Sequence, residues 1–339
     1  MKKLVFFICL KAVFLAVTLL PLVTTIAIAQ YDPISLKQVE EIKKRILIVG
    51  LEEEDKSILL NLEDSKDKLS KYKATVEGKN KALKLAADSF WVSSKTVIFL
   101  PRGEARKLFK KEKDKYAFLH YGEEIANGMI SYGYNGSESD SYIYFYGSAG
   151  LAYDYNKRNI FYNYNVFSLE IELPSFNPII VYLPKSCPSK ADVQLGILQM
   201  QYTFKYLTEN TGSSVKEMML KQLPINTLEL KNKVLLLDAG NFRVKATQEE
   251  IAKVYPYPFK LVNYRDIENA VSAKDTNAVI MNFGRYNDRE RLFYVLNAGN
   301  GKVYSSFINQ AYDYVVEGGT FNSLYYPGVK LDDIAKITR

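Results

Sequence analysis

The chain has 339 residues, of which 47% are hydrophobic and 24% charged, and this length can form one large core or two smaller ones. The formal net charge of +7 is mild for this length and does not indicate nucleic-acid binding, which requires a clustered basic face. The chain has one histidine and two cysteines, which leave few ligands for a zinc site, so we expect no metal ion and no cofactor.

Residues 1–29 are predicted to be an export signal. Lysines begin this segment, an apolar run follows, and Ala27-Ile-Ala29 ends it as a small-x-small cleavage site. The alternative is a retained membrane anchor, because the run could span a bilayer, but Lys11 and Pro21 favour cleavage. Removal of these 29 residues leaves 310 of 339 and removes three lysines, so that the net charge falls from +7 to +4. We therefore expect a periplasmic or secreted protein without an integral membrane segment.

The chain after the signal begins with predicted helices and short apolar strands. Helices are predicted over residues 32–44, 52–69 and 80–88, and strands over residues 45–51, 72–76 and 95–100. The runs at 45–51 and 95–100 lack polar alternation, which is typical of strands buried on both faces. Residues 102–115 are rich in lysine and arginine, and interleaved acids favour a solvated helix face over an anion-binding or membrane-binding patch.

Residues 116–183 are rich in tyrosine and phenylalanine. Alternating tyrosines occur at Tyr142, Tyr144 and Tyr146, at Tyr153 and Tyr155, and at Tyr162 and Tyr164, and glycines that predict turns occur at Gly133, Gly136, Gly147 and Gly150. This period of two predicts antiparallel strands with one wetter face. The aromatic side chains either pair across the strands or form a platform for a glycan, a peptide or another envelope protein.

A long helix is predicted from Ser189, its N-cap, to about Asn210. Its main apolar stripe consists of Val193, Ile197, Met200, Phe204 and Leu207, and further apolar residues widen that stripe. This pattern predicts a helix buried on more than one side, between two sheets or against a partner. A shorter helix is predicted from Ser213 to Gln222, and Pro224 is predicted to open a linker.

The last third of the chain repeats the α/β pattern. Strands are predicted over residues 233–238, 259–263 and 278–283, and helices over 247–255 and 266–273. The tail, residues 312–339, is predicted to be irregular and to contain a short helix. Strands that alternate with helices indicate crossover connections between parallel strands. Residues 113–121 loosely resemble residues 274–282, and residues 142–156 loosely resemble residues 292–306.

We therefore predict an α/β protein, with α+β as the alternative, made of two loosely repeated α/β units with aromatic antiparallel hairpins and a long buried helix between them. The predicted boundaries are 1–29 for the signal, 30–188 for the first unit, 189–228 for the helical connector and 229–339 for the second unit.

No catalytic residue, cofactor site or metal site can be assigned from the sequence. His120 lies in the apolar segment FLHYG, which is typical of a packed or edge-strand histidine, and no Gly-x-Ser-x-Gly motif accompanies it. Cys187, the one cysteine left after loss of Cys9, lies between prolines and is interpreted as an incidental thiol. Acids that could form a hydrolytic pair are Glu123 and Glu124, Glu138 and Asp140, and Asp238, but their spacing selects none of them.

The segment Leu235-Leu-Leu-Asp-Ala-Gly-Asn-Phe-Arg-Val-Lys-Ala-Thr247 resembles the first phosphate-binding hairpin of the actin-like sugar and pantothenate kinase superfamily. The resemblance implies that the acid positions a metal-bound phosphate and that the turn amides contact its oxygens. The chain departs from that motif because Phe242 replaces a hydroxyl residue and a helical segment follows. The alternative is an ordinary strand end with a polar loop.

These features favour an exported, non-catalytic binding or assembly module of the cell envelope, whose molecular role the sequence does not identify. A carboxylate-based glycan or peptide hydrolase and a periplasmic small-ligand receptor that closes between its two halves remain as alternatives.

Overall fold

The computed structural model describes residues 34–134, 141–144, 159–184, 188–242, 245–285, 290–310, 312–317, 320–325 and 328–338. The predicted export signal and Cys187 lie outside these residues, as do Gly136, Gly147, Gly150, Tyr146, Tyr153 and Tyr155. The structure confirms an α/β fold with two mixed sheets.

The first sheet contains the strands that precede the long helix. The elements are α1 (Leu36–Lys44), β1 (Ile46–Leu51), α2 (Lys56–Asn61), α3 (Lys66–Phe90), β2 (Val97–Pro101), α4 (Arg102–Lys111), β3 (Tyr116–Tyr134), β4 (Ser141–Tyr144), β5 (Asn159–Glu172) and β6 (Ile179–Tyr182). The strand order is β2-β1-β3-β5-β6, and β4 pairs with the far end of β3. β1 is parallel to β2 and β3, whereas β5 is antiparallel to both β3 and β6. The predicted antiparallel strands of the Tyr-rich segment are therefore present.

Two local predictions in this part are wrong. Residues 72–76 belong to α3 and not to a strand, because Leu69, Tyr72, Val76 and Leu83 recur at helical spacing and turn towards the same side. Gly133 lies within β3 and pairs with β4, so it does not form a turn.

The second sheet follows the long helix α5 (Lys190–Glu209). The elements are α6 (Val215–Glu217), a π-helical turn (Met218–Gln222), α7 (Leu223–Leu228), a 3-10 turn (Glu229–Asn232), β7 (Val234–Asp238), a 3-10 turn (Ala239–Asn241), α8 (Gln248–Val254), β8 (Phe259–Val262), α9 (Tyr264–Ser272), β9 (Ala278–Arg285), β10 (Glu290–Asn297), β11 (Val303–Gln310), β12 (Tyr312–Glu317), β13 (Thr320–Tyr325) and α10 (Leu331–Ala335). The strand order is β11-β10-β9-β7-β8, and β12 and β13 form a separate hairpin.

Two further predictions are corrected in this part of the chain. Pro224 opens no linker, because it stands near the start of α7, where its missing N–H is not needed by the helix. The tail is not irregular, since it contains the β12–β13 hairpin before α10.

The two sheets have the same order and direction of their five main strands. In each, the first strand lies between the second and the third and is parallel to both, and two antiparallel strands extend the sheet. The pairing registers also correspond: Leu47 faces Val97 as Leu235 faces Phe259, and Ile46 faces Tyr116 as Val234 faces Ala278. Positions 97 and 116 therefore correspond to 259 and 278, a constant offset of 162.

The sequence alignment of the two units differs from this register. That alignment set Lys113 against Lys274, which is an offset of 161. The strand register gives 162, so the alignment is wrong by one residue. A shift of one residue exchanges the two faces of a strand. It also set residues 142–156 against residues 292–306, whereas the strand order sets β5 and β6 against β10 and β11.

Helix α5 packs between the two sheets. Ser189 caps it in a reciprocal capping box with Asp192, and both apolar sides of the helix are buried. A Cβ atom on Gly196 would lie 3.5 Å from Leu169 of the first sheet, and one on Gly301 of the β10–β11 turn would lie 2.3 Å from the α5 backbone at Leu198. One hydrophobic core therefore joins both sheets to this helix, as predicted for a helix buried on more than one side.

The two sheets present opposite faces to α5. Leu83 of α3, which connects β1 to β2, and Ile267 of α9, which connects β8 to β9, both belong to the shared core. Helix α4, which connects β2 to β3, instead packs on the outer face of the first sheet, where Phe109 meets Phe118. The face of the first sheet on which α4 packs therefore points away from α5. The corresponding face of the second sheet, on which α9 packs, points towards α5 and is buried.

Candidate functional site

A group of charged side chains lies at the carboxyl end of the parallel strands of the first sheet. We define this polar cluster by Glu52, Arg102, Arg106, His120, Glu170 and Glu172. Helix α3 and helix α4 leave β1 and β2 towards opposite faces of the sheet, so the chain reverses its direction of winding between β1 and β3. This reversal point at the carboxyl ends of parallel strands is where open α/β sheets bind ligands.

His120 occupies the centre of the polar cluster and is 2% exposed. Its Nδ1 atom lies 2.8 Å from the carbonyl oxygen of Tyr121, and its Nε2 atom lies 2.6 Å from Oε1 of Glu172. Phe118 packs against the imidazole with ring centroids 4.5 Å apart. Because Nδ1 donates to the carbonyl, Nε2 faces the carboxylates.

Ion pairs connect His120 to helix α4. Arg106 donates to Oε1 of Glu172 at 2.9 Å, and Arg102 donates to Oε1 of Glu52 at 2.9 Å. The hydrogen bond from His120 is the largest cause of the lowered pKa of Glu172, and burial opposes it as the second-largest effect. The charges of His120 and Arg106 and the hydrogen bond from Arg106 lower this pKa further. Glu172 is therefore held as a carboxylate, which makes it a poor general acid.

Glu170 stands beside Glu172 on the same face of β5, directly across from His120. The hydroxyl of Ser168 donates to Oε1 of Glu170 at 2.6 Å. A Cβ atom on Gly122 would lie 1.8 Å from this Oε1, so the absent side chain of Gly122 makes room for Glu170. One ligand atom each from His120, Glu170 and Glu172 lie within 4.8 Å of one another.

The basic segment predicted at residues 102–115 contributes to this cluster in part. Ala105 and Phe109 of α4 are buried, Arg102 and Arg106 form the ion pairs described above, and the remaining lysines of the helix are exposed. The backbone N–H of Gly103 in the first turn donates to Glu53 Oε2 at 2.6 Å.

Of the acids proposed from the sequence, Asp238 has a described side chain, and it does not join the polar cluster. Glu123 and Glu124 lie on β3 beyond the residues whose side chains are described, and Glu138 and Asp140 lie outside the described residues. Asp238 accepts a hydrogen bond from the backbone of Gly240 in its own turn. A sequence pattern that could have pointed to the polar cluster is the alternation of Glu170 and Glu172 in the apolar strand SLEIEL. This alternation places both acids on one face of the strand.

The described residues of the kinase-like segment, 235–242 and 245–247, do not form the hairpin that its resemblance implies. β7 ends at Asp238 and is followed by a 3-10 turn, and the next described element is helix α8. The space between β6, α5, β10 and β11 contains a cavity of about 60 Å³ with Ile180, Met200 and Leu292 in its wall. The receptor interpretation, with a ligand cleft between the two halves, stays a prediction.

Comparison with known proteins adds no assignment, since no family model, curated protein or solved structure matches this chain. Across the described residues, every helix is too short or too polar to cross a lipid bilayer.

Proposed function

We propose that this protein is an exported, non-catalytic binding module of the cell envelope, and that it binds its ligand at the polar cluster. The observation that carries this proposal is the position of partly exposed, charged side chains at the reversal point of the first sheet. Arg102 and Arg106 expose 33% and 38% of their side chains, so a ligand from solvent can reach them.

The existing contacts of the acids favour binding over catalysis. Glu52 pairs with Arg102, Glu172 pairs with Arg106 and His120, and Glu170 accepts from Ser168. An acid–base pair needs one carboxyl group that is protonated near neutral pH, and the lowered pKa of Glu172 removes that group from consideration as the acid.

We further propose that the two units are internal repeats, with boundaries at residues 30–188 and 229–339, and that residues 189–228 connect them. The common strand order supports this division, as does the offset of 162 that β2 and β3 share with β8 and β9. In this proposal the first unit binds the ligand, and the second unit covers one face of the shared core.

The test is a thermal-shift screen of residues 30–339 with sugars, amino acids, peptides, nucleotides and divalent cations. A ligand at a hundredfold excess over its dissociation constant stabilises the folded state by about 2.7 kcal/mol. Glu52→Gln and Arg106→Ala should reduce the response, whereas Glu229→Gln should preserve it because Glu229 pairs with Lys302 in the second unit. A panel without any response, or an equal response in all variants, would contradict the proposal.

A carboxylate-based hydrolase is the second candidate, because Glu170 and Glu172 share one face with His120. Incubation with mixed glycans and peptides, followed by mass spectrometry, would detect new cleavage products. Cleavage by the wild-type protein that disappears in Glu170→Gln would replace the binding proposal with this one.

A further inference from the structure

The geometry points to a binding site for a divalent transition-metal ion, formed by Nε2 of His120 and the carboxylates of Glu170 and Glu172. This inference deepens the proposed function, on which it rests for the choice of the polar cluster as the binding site. The three side chains come from two paired strands, with His120 directly opposite Glu170 and Glu172 two residues further along β5. A rigid pair of strands is a suitable platform for ligands that must converge on one point.

The distances suit a single ion. The ligand atoms of the three residues already lie within 4.8 Å of one another, and Nε2 of His120 is 2.6 Å from Glu172. An ion at about 2.0–2.2 Å from each ligand separates neighbouring ligand atoms by about 3–3.5 Å. Both glutamate side chains are partly exposed, so the inferred site requires them to rotate towards His120 when the ion binds.

The groups around the three ligands orient them in the way that metal sites require. A metal-bound histidine nearly always donates its other ring N–H to a carbonyl or carboxylate, and Nδ1 of His120 contacts the carbonyl of Tyr121 at 2.8 Å. Ser168 donates to Oε1 of Glu170, and Arg106 donates to Oε1 of Glu172, so a hydrogen bond restricts the orientation of each carboxylate. Phe118 restricts the rotation of the imidazole ring.

The charges also favour a dication. Glu52, Glu53, Glu170 and Glu172 contribute four negative charges at this edge, against two positive charges from Arg102 and Arg106. When the ion binds, it takes the place of the proton that Nε2 of His120 donates towards Glu172, and that proton leaves to solvent. The imidazole of the metal-bound site is then neutral, and a dication balances the excess of two negative charges.

The mixture of ligands selects the class of ion. One imidazole nitrogen with two carboxylates suits Zn²⁺ or Mn²⁺, whereas Ca²⁺ and Mg²⁺ prefer oxygen ligands alone. Three protein ligands leave at least one coordination position open, because structural zinc is four-coordinate and sites that bind a further molecule keep a position free. The open position is where an anionic group of the module's ligand would bind.

His120 is the only histidine of the chain, which makes a direct test possible. The full exported chain is produced with ¹⁵N-labelled histidine rings and without a histidine tag, and is titrated with ZnCl₂ while the ring nitrogens are observed by NMR. We expect a saturable shift of Nε2 and a retained proton on Nδ1. Unchanged resonances at saturating zinc, or a shift that identifies Nδ1 as the ligand, would overturn the inference.

Calorimetry with Zn²⁺ and Mn²⁺ tests the carboxylates. Glu170→Gln and Glu172→Gln should each weaken binding by at least about tenfold, since even the loss of a group behind a metal ligand costs about 10–100-fold. Glu229→Gln removes the same charge from the second unit and should leave the affinity unchanged. Circular dichroism checks that each variant is folded, and equal affinities in all four proteins would contradict the site.

These measurements are independent of the search for an organic ligand. Zinc bound by His120 would support the metal site even if the thermal-shift screen finds no organic ligand. A screen response at the polar cluster without metal binding would overturn the metal site and leave the proposed function intact.

Discussion

The two units share one strand order but use the carboxyl end of their parallel strands differently. In the first unit the face with His120, Glu170 and Glu172 points away from α5, and among the described elements the short helix α4 packs on it. The pairing register places Asn282, Tyr294 and Leu296 at the corresponding positions of the second unit. These three residues are buried, and Tyr294 and Leu296 belong to the shared core.

The difference shows that packing decides which face remains open to solvent at the reversal point of each sheet. Both sheets have a reversal point at the carboxyl ends of their parallel strands. The second sheet turns the relevant face inwards, where charged groups would be desolvated at a cost of several kcal/mol, so uncharged side chains occupy it. The first sheet leaves the same face in contact with water.

The second unit places its strongest polar contact elsewhere. Arg291 of β10 and Asp333 of α10 are both fully buried and form an ion pair at 3.7 Å. Arg291 also donates to the carbonyl of Gly328, and Asp333 accepts from Asn309. This buried network joins the C-terminal helix to the second sheet, whereas the ion pairs of the first unit are partly exposed.

The largest effect is expected from Asp333→Ala. This change leaves the charge of Arg291 buried without its carboxylate, so the free energy of unfolding should fall by about 3–5 kcal/mol. Urea unfolding of the full chain measures it. Asp332→Ala removes an exposed neighbouring acid and should change stability by less than about 0.5 kcal/mol. Similar values for both variants would show that the buried pair does not stabilise the second unit.

Two glycines at corresponding positions give a matched pair of variants. Gly122 and Gly284 differ by the same offset of 162, and a Cβ atom on Gly284 would lie 2.7 Å from the backbone carbon of Tyr182 in β6. Because the backbone of Tyr182 cannot move as a side-chain end can, Gly284→Ala should destabilise the protein by about 2–3 kcal/mol.

Gly122→Ala should cost less, at about 1 kcal/mol, because the new methyl group meets the side-chain ends of Glu170 and Ser168, which can rotate. The same rotation moves Glu170 away from His120. Thermal unfolding of both variants compares the two losses of stability. A larger loss for Gly122→Ala would contradict the assignment of the Gly122 face as the outer face and the Gly284 face as the inner one.

Ser189→Ala tests the helix that both units share. The side chain of Ser189 accepts from the backbone N–H of Asp192, and the loss of such a cap costs about 1 kcal/mol. Because α5 belongs to the core of both units, unfolding should remain a single transition with a lower midpoint. Two separate transitions in the variant would indicate that the units are stabilised independently.

The smallest effect is expected from Arg102→Ala in the first unit. The ion pair of Arg102 with Glu52 is partly exposed, so its loss should reduce the free energy of unfolding by less than about 1 kcal/mol. Urea unfolding of Arg102→Ala and of Asp333→Ala compares the loss of a partly exposed ion pair with the loss of a buried one. A cost near that of Asp333→Ala would mean that the polar cluster stabilises the fold instead of serving a ligand.

Much of the fold follows from local patterns in the sequence. Several features depend on residues that are close together in the sequence. These features are the buried strands β1 and β7, the capping box at Ser189 and the apolar stripe of α5. Where local signals were weak, as at residues 72–76, the burial of one face of a long helix decided the structure. The offset of the two units was missed by one residue because strand pairing, and not residue identity, sets it.

The sequence by itself determined the class of fold, most of its buried strands and the burial of α5, because these depend on periodicity along a few neighbouring turns or strands. Only the tertiary structure decided the polar cluster. Glu172 is 52 positions from His120 and Glu52 is 50 positions from Arg102, so their contacts depend on strand pairing and helix placement. Which of two similar sheet faces remains open to solvent depends in turn on how each sheet packs against α5, and no local pattern records that choice.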